Sequence, residues 1–187
     1  MNLPNKLTVL RVLMIPLFLF LALMDSIPYN TFWALLVFAV ASATDALDGH
    51  IARKNNLVTN FGKFLDPLAD KILVMAALVC FIELGYVGSV PVILILAREF
   101  TVTALRLVAS SEVVIAAGIL GKLKTAFTMI AVIFIFLMHG LAGAGVNLGG
   151  YSLYAGDQVA IWIAAALTVI SGVQYLWEYR HFINTTK

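Results

Sequence analysis

An all-α integral membrane protein, a bundle of six transmembrane helices with short loops and both termini in the cytoplasm, is the fold class that three observations predict. The chain of 187 residues is 62% hydrophobic, with a mean hydropathy of +1.00. Only 12% of its residues are charged, against about 25% in a soluble domain. Six apolar runs, about 7–24, 32–53, 63–87, 90–109, 123–142 and 156–178, each come near the roughly 20 residues that a helix needs to cross a bilayer. They absorb nearly the whole length, so a single membrane domain over 1–187 is expected, with no soluble domain beside it. A membrane barrel would show segments of about ten residues in strict alternation, and "MIPLFLFLAL" and "MIAVIFIFLM" do not alternate.

The first run follows Pro4, a residue suited to the first position of a helix. Leu3, Leu7 and Leu10 share an apolar face there, and Asn5, Thr8 and Arg11 lie on another, which reads as an interfacial anchor or as a polar face turned to a site. Lys6 and Arg11 ahead of an apolar stretch also resemble a signal peptide, but Ala-Leu-Met-Asp-Ser-Ile is a poor cleavage site, and a retained span is expected.

The second and third runs carry the most unusual stretch, "TDALDGHIARKNNLVTNFGKFLDPLADK", residues 44–71. Asp45, Asp48, Gly49, Ala52 and Arg53 fall at i, i+3, i+4, i+7 and i+8, one face of a helix. After the polar link "KNNLVTN", Gly62, Asp66 and Asp70 fall at i, i+4 and i+8, one face of the next. A carboxylate at the bilayer centre costs about 2.5–3.5 kcal/mol, and crowded like charges repel further. Arg53, Lys63 and Lys71 offset part of this. Two hard divalent cations, Mg²⁺ or Mn²⁺, offset most, because both prefer oxygen ligands and Mg²⁺ is commonly shared with a substrate phosphate. A pair of metals clamps a phosphoryl group between attacking and leaving oxygens. Gly49 and Gly62 sit on the acidic faces, where a missing Cβ admits a ring or sugar to the backbone; close helix packing is the competing reading for either glycine alone.

The fourth run holds Arg98 and Arg106, eight apart and so on one face, and Lys122 and Lys124 stand at the entrance of the fifth. Cys80 has no partner for a disulfide and reads as a small buried hydrophobe. His50, His139 and His181 read as structural or solvated.

Orientation follows from the remaining cations. Lys6 and Arg11, then Arg53, Lys54, Lys63 and Lys71, then Lys122 and Lys124, and finally Arg180 and Lys187 alternate with connections that hold none, "DSIPYN", "GYVGSV" and "GAGVNLGGYSLYAG". The bias places both termini and the second and fourth connections in the cytoplasm. The net charge of +2 is too small to indicate nucleic acid, and its placement suits anionic lipid headgroups.

The spacing Asp45-x2-Asp48-Gly49-x2-Ala52-Arg53-x8-Gly62-x3-Asp66-x3-Asp70 resembles the complete signature of the CDP-alcohol phosphotransferase family. "NLPNKLTVLRVLMIPLF", "GKFLDPLADK", "AREFTVTALR" and "GKLKT" are similar to the phosphatidylglycerophosphate-forming bacterial branch of that family. The resemblance implies that a glycerol 3-phosphate hydroxyl attacks the phosphorus attached to diacylglycerol in CDP-diacylglycerol, and that CMP leaves. It implies that Asp45, Asp48 and Asp66 are the main ligands of two divalent cations, and that Asp70 completes the second site and acts as base. It implies that Asp48, Gly49, Ala52, Arg53, Gly62 and Asp66 line the cytidine and diphosphate site, that Asn5, Thr8 and Arg11 touch substrate or site, and that the enzyme is a homodimer in a bacterial plasma membrane with its active site facing the cytoplasm.

A dianionic acceptor needs its own cations. Arg98 and Arg106 suit phosphate oxygens, with Lys122 and Lys124 adding charge; pairing of Arg98 with Glu99, snorkelling, and a topological role for the lysines are the competing readings. Other acceptors in the family are serine, inositol phosphate or a second lipid. A divalent-cation transporter is the rival in a different class, but its ligands belong near the midplane, often in two similar halves, whereas these acids cluster on one helix pair.

Overall fold

Inside a bilayer every backbone N–H and C=O must find a partner within the protein, and a helix supplies one from its own segment. Six helices run in chain order among the described residues: α1 Leu3–Leu23, α2 Asn30–Lys54, α3 Asn60–Glu83, α4 Ser89–Ala109, α5 Ile119–Gly143 and α6 Gly150–Glu178. The computed structural model describes residues 3–54, 60–109 and 118–180, and their side chains apart from those of 3–5, 45–54, 60–68, 70 and 107–109. None of the described residues is in a strand.

Three helices, α1, α5 and α6, are long and apolar enough to cross a membrane, and Asn30–Thr44 of α2 is a shorter apolar length. Large apolar side chains cover the outside, among them Leu13 at 65%, Ile130 at 59% and Val173 at 61% exposure. Such a surface is unfavourable in water and neutral against lipid tails. The protein is membrane-embedded.

Two boundaries differ from those the apolar runs suggest. The third run extends to 87, but α3 stops at Glu83. Gly85 takes a φ of +70°, and the amides of Tyr86 and Val87 both donate back to the Phe81 carbonyl, at 2.9 and 3.4 Å, which closes the helix end. At the sixth run the connection expected over 143–156 shortens to 144–149. Gly149, at φ +67°, makes the reversal, and the Ser152 hydroxyl donates to its carbonyl at 2.8 Å. The glycines there mark a short turn and the first residue of a helix.

In the packing, α1 lies against α2 and α3, α2 against α5, α5 against α6, and α4 against α3 and α6. Phe18, Phe38, Phe81 and Phe136, all fully buried, bring one ring each from α1, α2, α3 and α5 to the centre. Phe81 and Phe136 have centroids 4.6 Å apart, and Phe18 meets Phe136 edge-on at 5.6 Å. Such pairs each contribute about 0.5–1.5 kcal/mol beyond burial.

The interior changes character along the helix axes. The buried stripe of α1 reads Thr8, Arg11, Ile15, Phe18, Ala22; that of α5 reads Lys124, Thr128, Ala131, Ile135. Both are polar toward the end where α2 meets α3 and apolar toward the other. At that other end sits one polar exception, His139 with Asp157 at 2.7 Å, capped by the ring of Tyr86. The structural reading of His139 agrees with this pairing.

Candidate active site

The acid-bearing positions lie at one level. Asp48 stands six residues before Lys54, the end of α2, and Asp66 six residues after Asn60, the start of α3. At 1.5 Å per residue, backbones leaving one short link stay level. By helical periodicity, positions 45, 48, 49 and 52 share the face of α2 that carries Ala34, Phe38 and Ala41. Positions 66 and 70 share the face of α3 that carries Leu73 and Ala77. The side chains of Asp45, Asp48, Gly49, Ala52, Arg53, Gly62, Asp66 and Asp70 lie outside the described residues, as does that of Asn5.

Thr8 and Arg11 are both fully buried, while Leu10 is exposed. Their face of α1 therefore turns inward, toward α2 and α3, and the apolar face turns outward. Thr8 lies 15 residues before the end of α1 and Asp45 15 residues after the start of α2, so the two backbones are level. An anchor in the headgroup layer would leave an arginine solvated, and the burial of Arg11 argues against that reading.

Arg98, Arg106, Lys122 and Lys124 all line one cavity of about 530 Å³ between α3, α4 and α5. Small-molecule sites commonly measure about 300–1,000 Å³. Lys71 and Glu99 also line it, so the described lining carries five cations against one acid. Glu99 is 3.5 Å from Arg98 Nη1 and forms an ion pair with Lys124. Pairing with Glu99 and lining the cavity are thus both true of Arg98. Lys71 donates to the Thr103 hydroxyl, which itself donates to the Glu99 carbonyl at 2.6 Å.

Both arginines are held from behind by α6. Arg98 Nη2 donates to Ser171 Oγ at 2.8 Å, and Arg106 Nε donates to the Tyr175 hydroxyl at 3.0 Å. The Arg106 guanidinium carbon lies 5.3 Å from the centre of the Tyr175 ring, within cation–π range. Ser171 and Tyr175 are one turn apart on α6 and buried. The Nε of Arg98 is buried without a hydrogen bond among the described residues, an unmet donor that an acceptor oxygen or a water would satisfy.

Sequence reasoning passed over Thr103, Ser171 and Tyr175, took Glu99 as a pairing partner for Arg98 alone, and read Lys71 as a partner for the aspartates. The available signal was polar residues at helical spacing within an apolar span, which seldom persist unless they bond across helices.

A family model described as CDP-alcohol phosphatidyltransferase matches residues 1–170. The chain is 44% identical over 190 residues to the CDP-diacylglycerol--glycerol-3-phosphate 3-phosphatidyltransferase of Bacillus subtilis, covering 95% of this chain and 93% of the relative. It is 42% identical over 175 residues to the protein of that name from Rickettsia typhi, covering 93% and 94%. It is 39% identical over 181 residues to a probable phosphatidylglycerophosphate synthase of Mycobacterium tuberculosis, covering 94% and 80%.

Proposed function

Because the chain belongs to the CDP-alcohol phosphatidyltransferase family, we infer that it transfers the phosphatidyl group of CDP-diacylglycerol to glycerol 3-phosphate, giving phosphatidylglycerol phosphate and CMP. The observation that carries the reading is Lys71. It follows Asp70 directly in α3, and it lines the cationic cavity. The acid-bearing positions of the signature therefore adjoin a pocket charged for a phosphomonoester.

The hydroxyl oxygen of glycerol 3-phosphate forms the new bond to the phosphorus that carries diacylglycerol, the bond from that phosphorus to the CMP oxygen breaks, and the hydroxyl proton passes to Asp70. Arg98, Arg106, Lys122 and Lys124 hold the acceptor's phosphate, with forked arginine bonds fixing its orientation. Asp48, Gly49, Ala52, Arg53, Gly62 and Asp66 line the cytidine and diphosphate. Thr8 and Arg11, with Asn5 near them on α1, close the site from α1, which packs against α2 and α3.

The family is divalent-cation dependent, and the donor set fits: four carboxylates on two helices at one level are hard oxygen ligands of the kind Mg²⁺ and Mn²⁺ select. Asp45, Asp48, Asp66 and Asp70 would hold two such ions. When bound, they supply charge that stabilises the attacking and leaving oxygens.

The cation distribution supports a site facing the cytoplasm of a bacterium, in a single membrane domain over 1–187, and family resemblance supports a homodimer. One assay tests the function. Purified protein given CDP-diacylglycerol, glycerol 3-phosphate and Mg²⁺ should release CMP, and serine or inositol phosphate in place of glycerol 3-phosphate should not support release. Metal flux into liposomes without CMP would point to a transporter instead.

A further inference from the structure

We propose that Ser171, Gly172 and Tyr175 of α6 are positioning residues, which hold the guanidiniums of Arg98 and Arg106 toward the acceptor cavity and thereby set how tightly the acceptor's phosphate binds. The proposal rests on the reading of that cavity as the acceptor pocket.

Among the described residues the lining is supplied by α3, α4 and α5, and none of it by α6. Yet among the described residues the hydrogen bonds that both arginines make beyond α4 run to α6. The need for such bracing follows from charge. Among the described lining residues, Lys71, Arg98, Arg106, Lys122 and Lys124 face one space with only Glu99 to offset them. Without a ligand, cations so placed repel one another, and long arginine side chains near a helix end swing to the polar interface. A ligand would then have to gather and order them, and affinity falls with that cost.

Each arginine is restrained in its own way. For Arg98 the restraint acts on the stem as well as the head. A Cβ at Gly172 would lie 2.7 Å from Arg98 Cγ, so only glycine allows the stem to rest against the α6 backbone. Ser171 Oγ then accepts a hydrogen bond from Nη2. For Arg106 the restraint is the phenol: its oxygen accepts from Nε, and its ring sits under the guanidinium. Nε is thereby occupied, so Arg106 presents the Nη1 and Nη2 end to the cavity. Two acceptors and one missing Cβ, spread over a single turn of α6, orient both forks.

The test is kinetic, on the full-length protein in mixed micelles. Tyr175→Phe keeps the ring and removes the acceptor; Ser171→Ala removes the other with little change of shape; Gly172→Ala displaces the stem of Arg98. Each should raise the KM for glycerol 3-phosphate up to about tenfold, the scale of a lost hydrogen bond to a charged group. The kcat, the KM for CDP-diacylglycerol and the thermal midpoint should stay within narrow limits, and Ser171→Thr should restore the parent KM. Arg106→Ala is the control. If it raises the acceptor KM and Tyr175→Phe and Ser171→Ala do not, the bracing role is refuted and the pocket stands. A parallel change in both KM values and kcat also refutes it, since a general packing defect acts that way. If Arg106→Ala leaves the acceptor KM unchanged, the pocket assignment falls and takes the bracing role with it.

Discussion

His139 Nε2 and Asp157 Oδ2 lie 2.7 Å apart, joining α5 to α6 at the end of the bundle remote from the acidic hairpin. The Tyr86 ring, from the connection between α3 and α4, stacks on the imidazole at 3.4 Å between centroids and 14° between planes. Gln158 Nε2 donates to the Tyr86 carbonyl at 3.3 Å. Three parts of the chain far apart in sequence are thus fastened where the interior is otherwise apolar.

This clasp serves stability. Asp157 is fully buried, and removing His139 takes away the hydrogen-bond partner of its Oδ2. His139→Ala should cost about 1–3 kcal/mol, the usual range for leaving a buried polar group without its hydrogen bond, read as a lower thermal midpoint in detergent. The KM values of the surviving enzyme should match the parent's. An unchanged midpoint would show that the clasp contributes nothing.

Asp70→Asn should lower turnover by about 10²–10⁴-fold, the range for loss of a general base, while CDP-diacylglycerol binding stays largely intact. Equilibrium binding of the nucleotide lipid beside single-turnover CMP release separates the two effects. Equal loss of both would make Asp70 chiefly a metal ligand.

Chelation should abolish CMP release, and added Mg²⁺ or Mn²⁺ should restore it. Asp45→Asn and Asp66→Asn should shift the metal concentration for half activity upward. Activity that persists in excess chelator would remove the aspartates from this role.

Arg106→Ala should raise the KM for glycerol 3-phosphate by about tenfold or more, because a charged hydrogen-bonding group is lost, with a smaller change for CDP-diacylglycerol. Arg106→Lys should recover little of it. An ammonium cannot both bond the Tyr175 hydroxyl through Nε and present a fork to phosphate.

Orientation has a direct test. In a Cys80→Ala background, which removes the single buried thiol, Ser26→Cys should react with a membrane-impermeant maleimide on intact cells. Gly118→Cys should react only after permeabilisation. The reverse pattern would invert the cation-based orientation.

The α2–α3 hairpin was legible from spacing because carboxylates three or four residues apart share a helix face whatever surrounds them. Arg98 and Arg106 were legible for the same reason. Arg11 was only half legible: periodicity separates its face from Leu10, but cannot say which faces inward in a membrane, where lipid accepts the apolar side. The start of α6 was missed because glycine-rich composition reads alike for a loop and for a turn that ends in a helix.

Hydropathy and periodicity are properties of neighbours in the chain, so the sequence alone determined the six helices, the level of the acids and the family signature. Which helix stands beside which is a property of packing. Only the tertiary structure brought Lys71 of α3, Arg98 and Arg106 of α4 and Lys122 and Lys124 of α5 around one cavity, set Ser171 and Tyr175 behind the arginines, and matched His139 with Asp157. The hydrogen bonds among those contacts join residues at least 18 positions apart, and no local pattern records them.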